Sequence, residues 1–101
     1  LNHFDDSIGV VGNYFTRNEW LEIPLRAMYN KDFPNLLPAG RIISATGKAW
    51  DITRVIPAAV LTGEVSGIIA SLVIDKGISV KEINIKELQS KLLEKGNILH
   101  K

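Results

Sequence analysis

The sequence predicts an α/β fold in which two or three strands precede two helices. Apolar and polar residues alternate over residues 21–29, as they do in a half-buried strand. A long apolar segment over residues 56–76 carries a proline at its start and is followed by a glycine, which is typical of a buried helix. Residues 78–101 are rich in Lys and Glu, with aliphatic residues at helical spacing, and predict an amphipathic helical tail.

Composition narrows the classes of protein and partner. A length of 101 residues fits one domain, so we treat residues 1–101 as a single unit. The formal charge of +1 creates no field that would gather phosphates, and we expect no nucleic-acid partner. The chain has no cysteine, which excludes disulfides, thiolate zinc sites and iron–sulfur clusters.

The predicted strands occupy the first half of the chain. Pro24 has no amide hydrogen, so the strand at residues 21–29 should lie at a sheet edge or be bulged at this position. Residues 35–44 form another apolar run, which predicts a second strand. Gly40 lies within this run, and a glycine inside a strand often marks a close approach to the backbone.

The predicted helix over residues 56–76 contains a narrow stripe of small residues: Ala59, Gly63, Gly67 and Ala70. Apolar side chains cover its other faces, so we expect burial nearly all round. Two glycines cost a helix roughly 1 kcal/mol each relative to alanine. Retaining both therefore suggests that a strand, another helix or a ligand approaches the helix backbone.

The same segment is long enough to span a membrane. Glu64 lies near its midpoint, however, where an acidic residue costs on the order of 2.5–3.5 kcal/mol on insertion scales. We therefore expect no membrane partner.

The last helix is predicted over residues 85–95. Asn84 can cap it, Glu87 stands three residues later as in a capping box, and Gly96 can end it.

The residues do not form a complete catalytic constellation. His3 and His100 lie near opposite ends of the chain with no carboxylate or second histidine at ligand spacing, so we expect no metal site.

One arrangement favours ligand binding. Residues 39–41 (AGR) end the second predicted strand, and a polar connection then enters the long helix at residues 54–57 (RVIP). A helix N-terminus with free amides, a partial positive charge and two nearby arginines suits a phosphate or a reduced flavin ring. A plain strand–loop–helix unit with surface arginines is the alternative.

Four ordered segments resemble the C-terminal part of FAD-dependent oxidoreductases with a glutathione-reductase-like fold: residues 22–26 (EIPLR), 34–44 (PNLLPAGRIIS), 54–59 (RVIPAA) and 62–67 (TGEVSG). The resemblance extends from about Phe4 to Gly96 and is closest to a bacterial branch sometimes labelled xanthan-lyase-like. It implies a fragment of a Rossmann-like FAD/NAD(P)-binding fold.

The resemblance also implies roles for individual residues. Gly40 and Arg41 would lie beside the ribityl and pyrophosphate portion of the flavin, although many related flavoproteins have an acidic residue where Arg41 stands. Residues at the start of the long helix would face the isoalloxazine ring, namely Arg54, Val55 and Ile56. Arg26 is a candidate substrate contact, with an ordinary salt bridge as the alternative.

The family's N-terminal half, with its glycine-rich βαβ unit, is not in this sequence, and the chain begins with Leu1. We therefore expect a fragment of a parent flavoenzyme that binds little or no FAD and is catalytically inert alone. Its partner would be the rest of the parent chain, and exposed apolar surface would cause self-association. The alternatives are a free-standing interaction module and, more remotely, a membrane-anchored peptide.

Overall fold

The computed structural model describes residues 3–12, 19–29, 32–33, 36–45, 47, 49–50 and 53–100. In chain order, its strands and α-helices are β1 (Ser7–Gly12), β2 (Trp20–Pro24), α1 (Ile56–Lys76) and α2 (Ile85–Glu94). Three short 3-10 turns occur at Leu25–Met28, Gly40–Ile42 and Val80–Glu82. The fold is a small α/β arrangement, as predicted.

The two strands form an antiparallel pair in which Val10 lies opposite Glu22. The register shifts between Ser7 and Gly9, next to the pairing of Ser7 with Pro24, so the predicted irregularity at the proline is confirmed. The strand is shorter than predicted: it ends at Pro24, and the chain turns where the Leu25 amide donates to the carbonyl of Asp6 (2.8 Å). Strand β1 was not predicted.

The predicted strand over residues 35–44 is wrong for the described residues of that range. Residues 36–39 are irregular, and a 3-10 turn follows at Gly40–Ile42. Gly40 has a φ of +75°, outside the extended region, and its amide donates to a threonine side chain instead of a strand. Pro38 has no amide to contribute to a sheet.

Helix α1 has the predicted bounds. Pro57 lies in its first turn, and Gly77 ends it in the left-handed conformation with a φ of +64°. Five residues on one face are buried: Ala58, Thr62, Val65, Ile69 and Leu72. The opposite face is open, so the expectation of burial nearly all round is wrong. Strand β1, the Gly40–Ile42 and Val80–Glu82 turns and α2 cover only part of the helix.

The exposed side of α1 is apolar, and we call it the outer face. It consists of residues that share one side of a 3.6-residue period: Ile56, Val60, Gly63, Gly67 and Ile74. A methyl group added at Gly63 or Gly67 would meet nothing within 4 Å. The predicted close approach to these glycines therefore does not occur among the described residues.

The close approach occurs at Gly9 in β1. A Cβ atom at this position would lie 2.5 and 2.6 Å from the two Cδ atoms of Leu61 in α1. The missing side chain lets the strand lie against the helix.

The C-terminal segment is anchored on the sheet. The side-chain amide of Gln89, in α2, donates to the carbonyls of Asp5 and Ser7 (2.9 Å each). The Ser7 hydroxyl donates to the carbonyl of Leu99, and Leu99 belongs to the buried core. Residues near both ends of the chain therefore pack together.

By length and composition alone, α1 could cross a membrane; it is the one helix in the described residues that passes this test. A soluble protein's core helix can pass the same test, so this finding is weak evidence for a membrane span.

Candidate functional site

The Gly40–Ile42 turn is attached to the buried face of α1 by one hydroxyl group. Thr62 is fully buried, and its Oγ1 accepts a hydrogen bond from the Gly40 amide (2.8 Å). The same hydroxyl donates to the carbonyl of Ala58 one turn earlier (2.8 Å). The glycine–arginine turn therefore lies against the first two turns of the helix.

The residues after the turn join it to the strand layer. Ile43 is buried in the core, and the Ser44 amide donates to the carbonyl of Ala27 (3.1 Å). Arg41 and Ile42 are exposed between these two attachments. The backbone of the turn is thus fixed, while the Arg41 side chain faces solvent.

The N-terminus of α1 lies at Ile56. Val55 is its N-cap with an extended backbone, and a valine side chain has no acceptor to cap helix amides. The first intrahelical bond runs from the Ala59 amide to the carbonyl of Val55 (3.2 Å), so the amides of Ile56 and Ala58 have no intrahelical acceptor. Ile56 is 79% exposed. This end of the helix is open and carries a partial positive charge.

Arg54 is placed just before this open end. Its guanidinium lies 4.2 Å from the ring centroid of Trp50, a cation–π contact that holds the side chain on the surface. The Arg54 charge is close in sequence to the first amides of the helix, and the stacked indole adds an aromatic surface.

Arg26 lies in the Leu25–Met28 turn, directly after β2. Its guanidinium forms an ion pair with Asp6 (2.6 Å) and lies 4.9 Å from the ring centroid of Phe4. The contact with Asp6 is the ordinary salt bridge given as the alternative above. Arg26 also lines an open cavity of about 340 Å³ with Phe4, Pro24, Ala27, Ser44 and Ala45.

A second cluster was missed by sequence reasoning. Glu22 in β2 is buried, and its Oε1 accepts a hydrogen bond from the Phe4 amide (2.8 Å). Its Oε2 lies 3.0 Å from Nδ1 of His100 and 4.0 Å from Nε2 of His3. The two imidazole rings are stacked with centroids 4.2 Å apart. Neither histidine has a carboxylate or a second histidine at ligand spacing in the sequence, but the fold brings these three residues together.

The electrostatics of this cluster favour a charged carboxylate. Burial alone would raise the pKa of Glu22, but the Phe4 amide and the His100 and His3 rings outweigh it and hold the pKa below its ordinary value. In the sequence, His3 lies 19 positions before Glu22, and His100 lies 78 positions after it. The one signal available in the sequence is an acidic residue, Glu22, between the apolar residues Leu21 and Ile23.

Comparison with known proteins gives one match. The family model for FAD-dependent oxidoreductases matches residues 3–92, which covers the Gly40–Ile42 turn, all of α1 and most of α2. No curated protein and no solved structure matches significantly. Because the match covers most of the sequence, the chain belongs to the FAD-dependent oxidoreductase family.

Proposed function

We propose that this chain is the C-terminal segment of an FAD-dependent oxidoreductase and that it contributes flavin contacts at the N-terminal end of α1. The observation that carries the proposal is the hydrogen bond from the Gly40 amide to Thr62. It attaches the glycine–arginine turn to the helix whose first amides have no intrahelical acceptor. Arg41 and Arg54 supply positive charge to the two segments.

The donors at this end suit a flavin in chemical type. The helix amide of Ile56, together with Arg54, would stabilise negative charge on an electron-rich ring. Arg41 would pair with phosphate oxygens. The Gly40 amide already donates to Thr62. Gly40 would instead help by having no side chain, which leaves open space for a ligand beside its backbone. When bound, FAD itself supplies the redox chemistry.

Further assignments belong to the same proposal. The parent enzyme would have the glutathione-reductase-like, Rossmann-type fold of the bacterial xanthan-lyase-like branch. Val55 would line the flavin site with Ile56. Arg26 would contact substrate from the wall of its cavity, in exchange for part of its ion pair with Asp6.

The outer face of α1 supports the idea of a larger parent protein. Ile56 and Ile74 are 79% and 78% exposed, and Val60 between them is exposed as well. Exposed apolar stripes of this kind are normally covered by another part of the protein. We propose that the rest of the parent chain packs here, and that the isolated chain is inactive and binds little FAD.

The same face favours a second candidate, a free-standing interaction module that binds a partner chain. The reading frame upstream of Leu1 distinguishes the two candidates. A glycine-rich βαβ sequence in that frame supports the enzyme, whereas a start codon directly before Leu1 supports the module.

The test is the absorbance spectrum of the purified product of the whole reading frame. We expect a flavin band, and we expect Arg41→Ala and Arg54→Ala to lower FAD affinity about tenfold each by removing a charged contact. Lys86→Ala, which removes an exposed cation from α2, is the matched control and should leave affinity unchanged.

The 101-residue chain alone should show no stoichiometric uptake of added FAD. Tight uptake by this chain would contradict the proposed weak binding of FAD. A colourless full-length product, or equal FAD affinity in all three variants, would overturn the proposed flavin contacts.

A further inference from the structure

The cluster of His3, Glu22 and His100 shares no residue with the proposed flavin contacts and has the composition of a metal site. It joins two imidazole nitrogens to one carboxylate oxygen, and these ligand atoms all lie within 4.8 Å of one another. The chain has only two histidines, and both are in this cluster.

The carboxylate is held in position for a ligand. The Glu22 side chain is 8% exposed, and the Phe4 amide occupies its Oε1, which leaves Oε2 directed at the two imidazoles. Such a hydrogen bond to the other oxygen is how proteins orient a metal-binding carboxylate.

Each of the two histidines is next to a residue whose backbone is hydrogen-bonded to a side chain of the sheet. Leu99, directly before His100, is buried, and its carbonyl accepts from the Ser7 hydroxyl. Phe4, directly after His3, donates its amide to Glu22. All three ligands are therefore attached to the sheet layer, although they come from distant parts of the sequence.

We propose that His3, Glu22 and His100 bind one Zn²⁺ ion, with a fourth coordination position open to water. Two donors of a tetrahedral zinc ion lie about 3.3 Å apart, given bonds of about 2.0–2.1 Å. The separation of 3.0 Å between His100 and Glu22 is close to this value, and the 4.0 Å from His3 to Glu22 is longer. The His3 side chain is 64% exposed, so it can rotate to close that distance and unstack the rings.

The choice of Zn²⁺ follows from the donors. Imidazole nitrogen with one carboxylate oxygen suits zinc, whereas Mg²⁺ prefers oxygen ligands in octahedral geometry. Zinc would connect residues near both ends of the chain to the middle of β2. It should therefore stabilise the folded chain through binding to the native state.

The experiment is calorimetric titration of the untagged 101-residue chain with ZnCl₂, and with MgCl₂ as the metal control. We expect one Zn²⁺ per chain with a dissociation constant below about 100 µM, no heat with Mg²⁺, and a rise in Tm of about 10 °C at a hundredfold excess over that constant. The imidazole NMR signals of both histidines should shift together.

Three variants test the ligands. His3→Gln, His100→Gln and Glu22→Gln should each weaken Zn²⁺ binding by about tenfold or more. Glu94→Gln, which alters an exposed acid in α2, is the matched control and should bind like the wild type. His3→Gln removes a mostly exposed ring, so it decides the question even if Glu22→Gln fails to fold.

Binding weaker than the stated limit would overturn the proposal. So would an affinity that His3→Gln and His100→Gln leave unchanged, because the ion would then be bound to other surface carboxylates.

Discussion

Thr62 is the residue on which the contact between the Gly40–Ile42 turn and α1 depends. Its one hydroxyl group accepts from the Gly40 amide and donates to the carbonyl of Ala58, and the side chain is fully buried. Valine has the same shape without the hydroxyl. Replacing Thr62 with valine would leave the partly buried Gly40 amide without this partner.

We expect Thr62→Val to lower the free energy of unfolding by about 0.5–1.5 kcal/mol, the net contribution of a typical intramolecular hydrogen bond. Urea unfolding measures this loss, and amide hydrogen exchange at Gly40 should become faster. Ser71→Ala, which removes an exposed hydroxyl from the same helix, is the control and should change stability little. Unchanged exchange at Gly40 would contradict the role given to Thr62.

Gly9 is the second residue with a specific packing function. We expect Gly9→Ala to destabilise the chain by about 1 kcal/mol, because the new methyl group displaces the flexible end of the Leu61 side chain. Leu61→Ala in the same chain should recover part of the loss by making space. Thermal unfolding of the two single variants and the double variant checks this, and strictly additive losses would show that the two residues do not interact.

The ends of a helix could be predicted from the sequence more accurately than the contacts between two elements. Pro57 and Gly77 act on the backbone next to them, so the bounds of α1 were predicted correctly. The apolar run at residues 35–44 was predicted as a strand, but no local signal shows whether such a run finds a strand to pair with. Here a side chain of α1 takes the Gly40 amide instead.

Helix α1 has one buried face and one exposed outer face, and substitutions of Gly63 and Gly67 test whether the outer face is covered. Gly63→Ala should raise the free energy of unfolding of the isolated chain by about 0.5–1 kcal/mol, because alanine is the better helix former and the space beside Gly63 is open. Gly67→Ala should behave alike. Chemical denaturation measures both, and a loss of stability would mean that another surface already covers this face.

The candidate sites differ in how far apart their residues lie in the sequence, and this difference determined which of them could be predicted. The segments that carry Arg41 and Arg54 were recognisable because each is continuous. The His3, Glu22 and His100 cluster was not, because its members come together only through the pairing of β1 with β2 and the anchoring of residues 97–100. Contacts between distant residues depend on tertiary packing that local patterns do not encode.

At the scale of the whole molecule, the outer face predicts self-association of the isolated chain. We expect light scattering to show species larger than a monomer at high concentration, because Ile56, Val60 and Ile74 are exposed together. Val60→Lys should shift the distribution towards monomer. Leu93→Lys, which places the same charge at an exposed position of α2, should not. A monodisperse monomer at all concentrations would contradict this expectation.

The stacking of His3 on His100 brings the beginning and the end of the described fold side by side, with ring centroids 4.2 Å apart. A short flexible peptide could therefore bridge the two ends. The polypeptide could be cyclised, permuted at an exposed loop or grafted into a surface loop of a host protein without stretching its backbone.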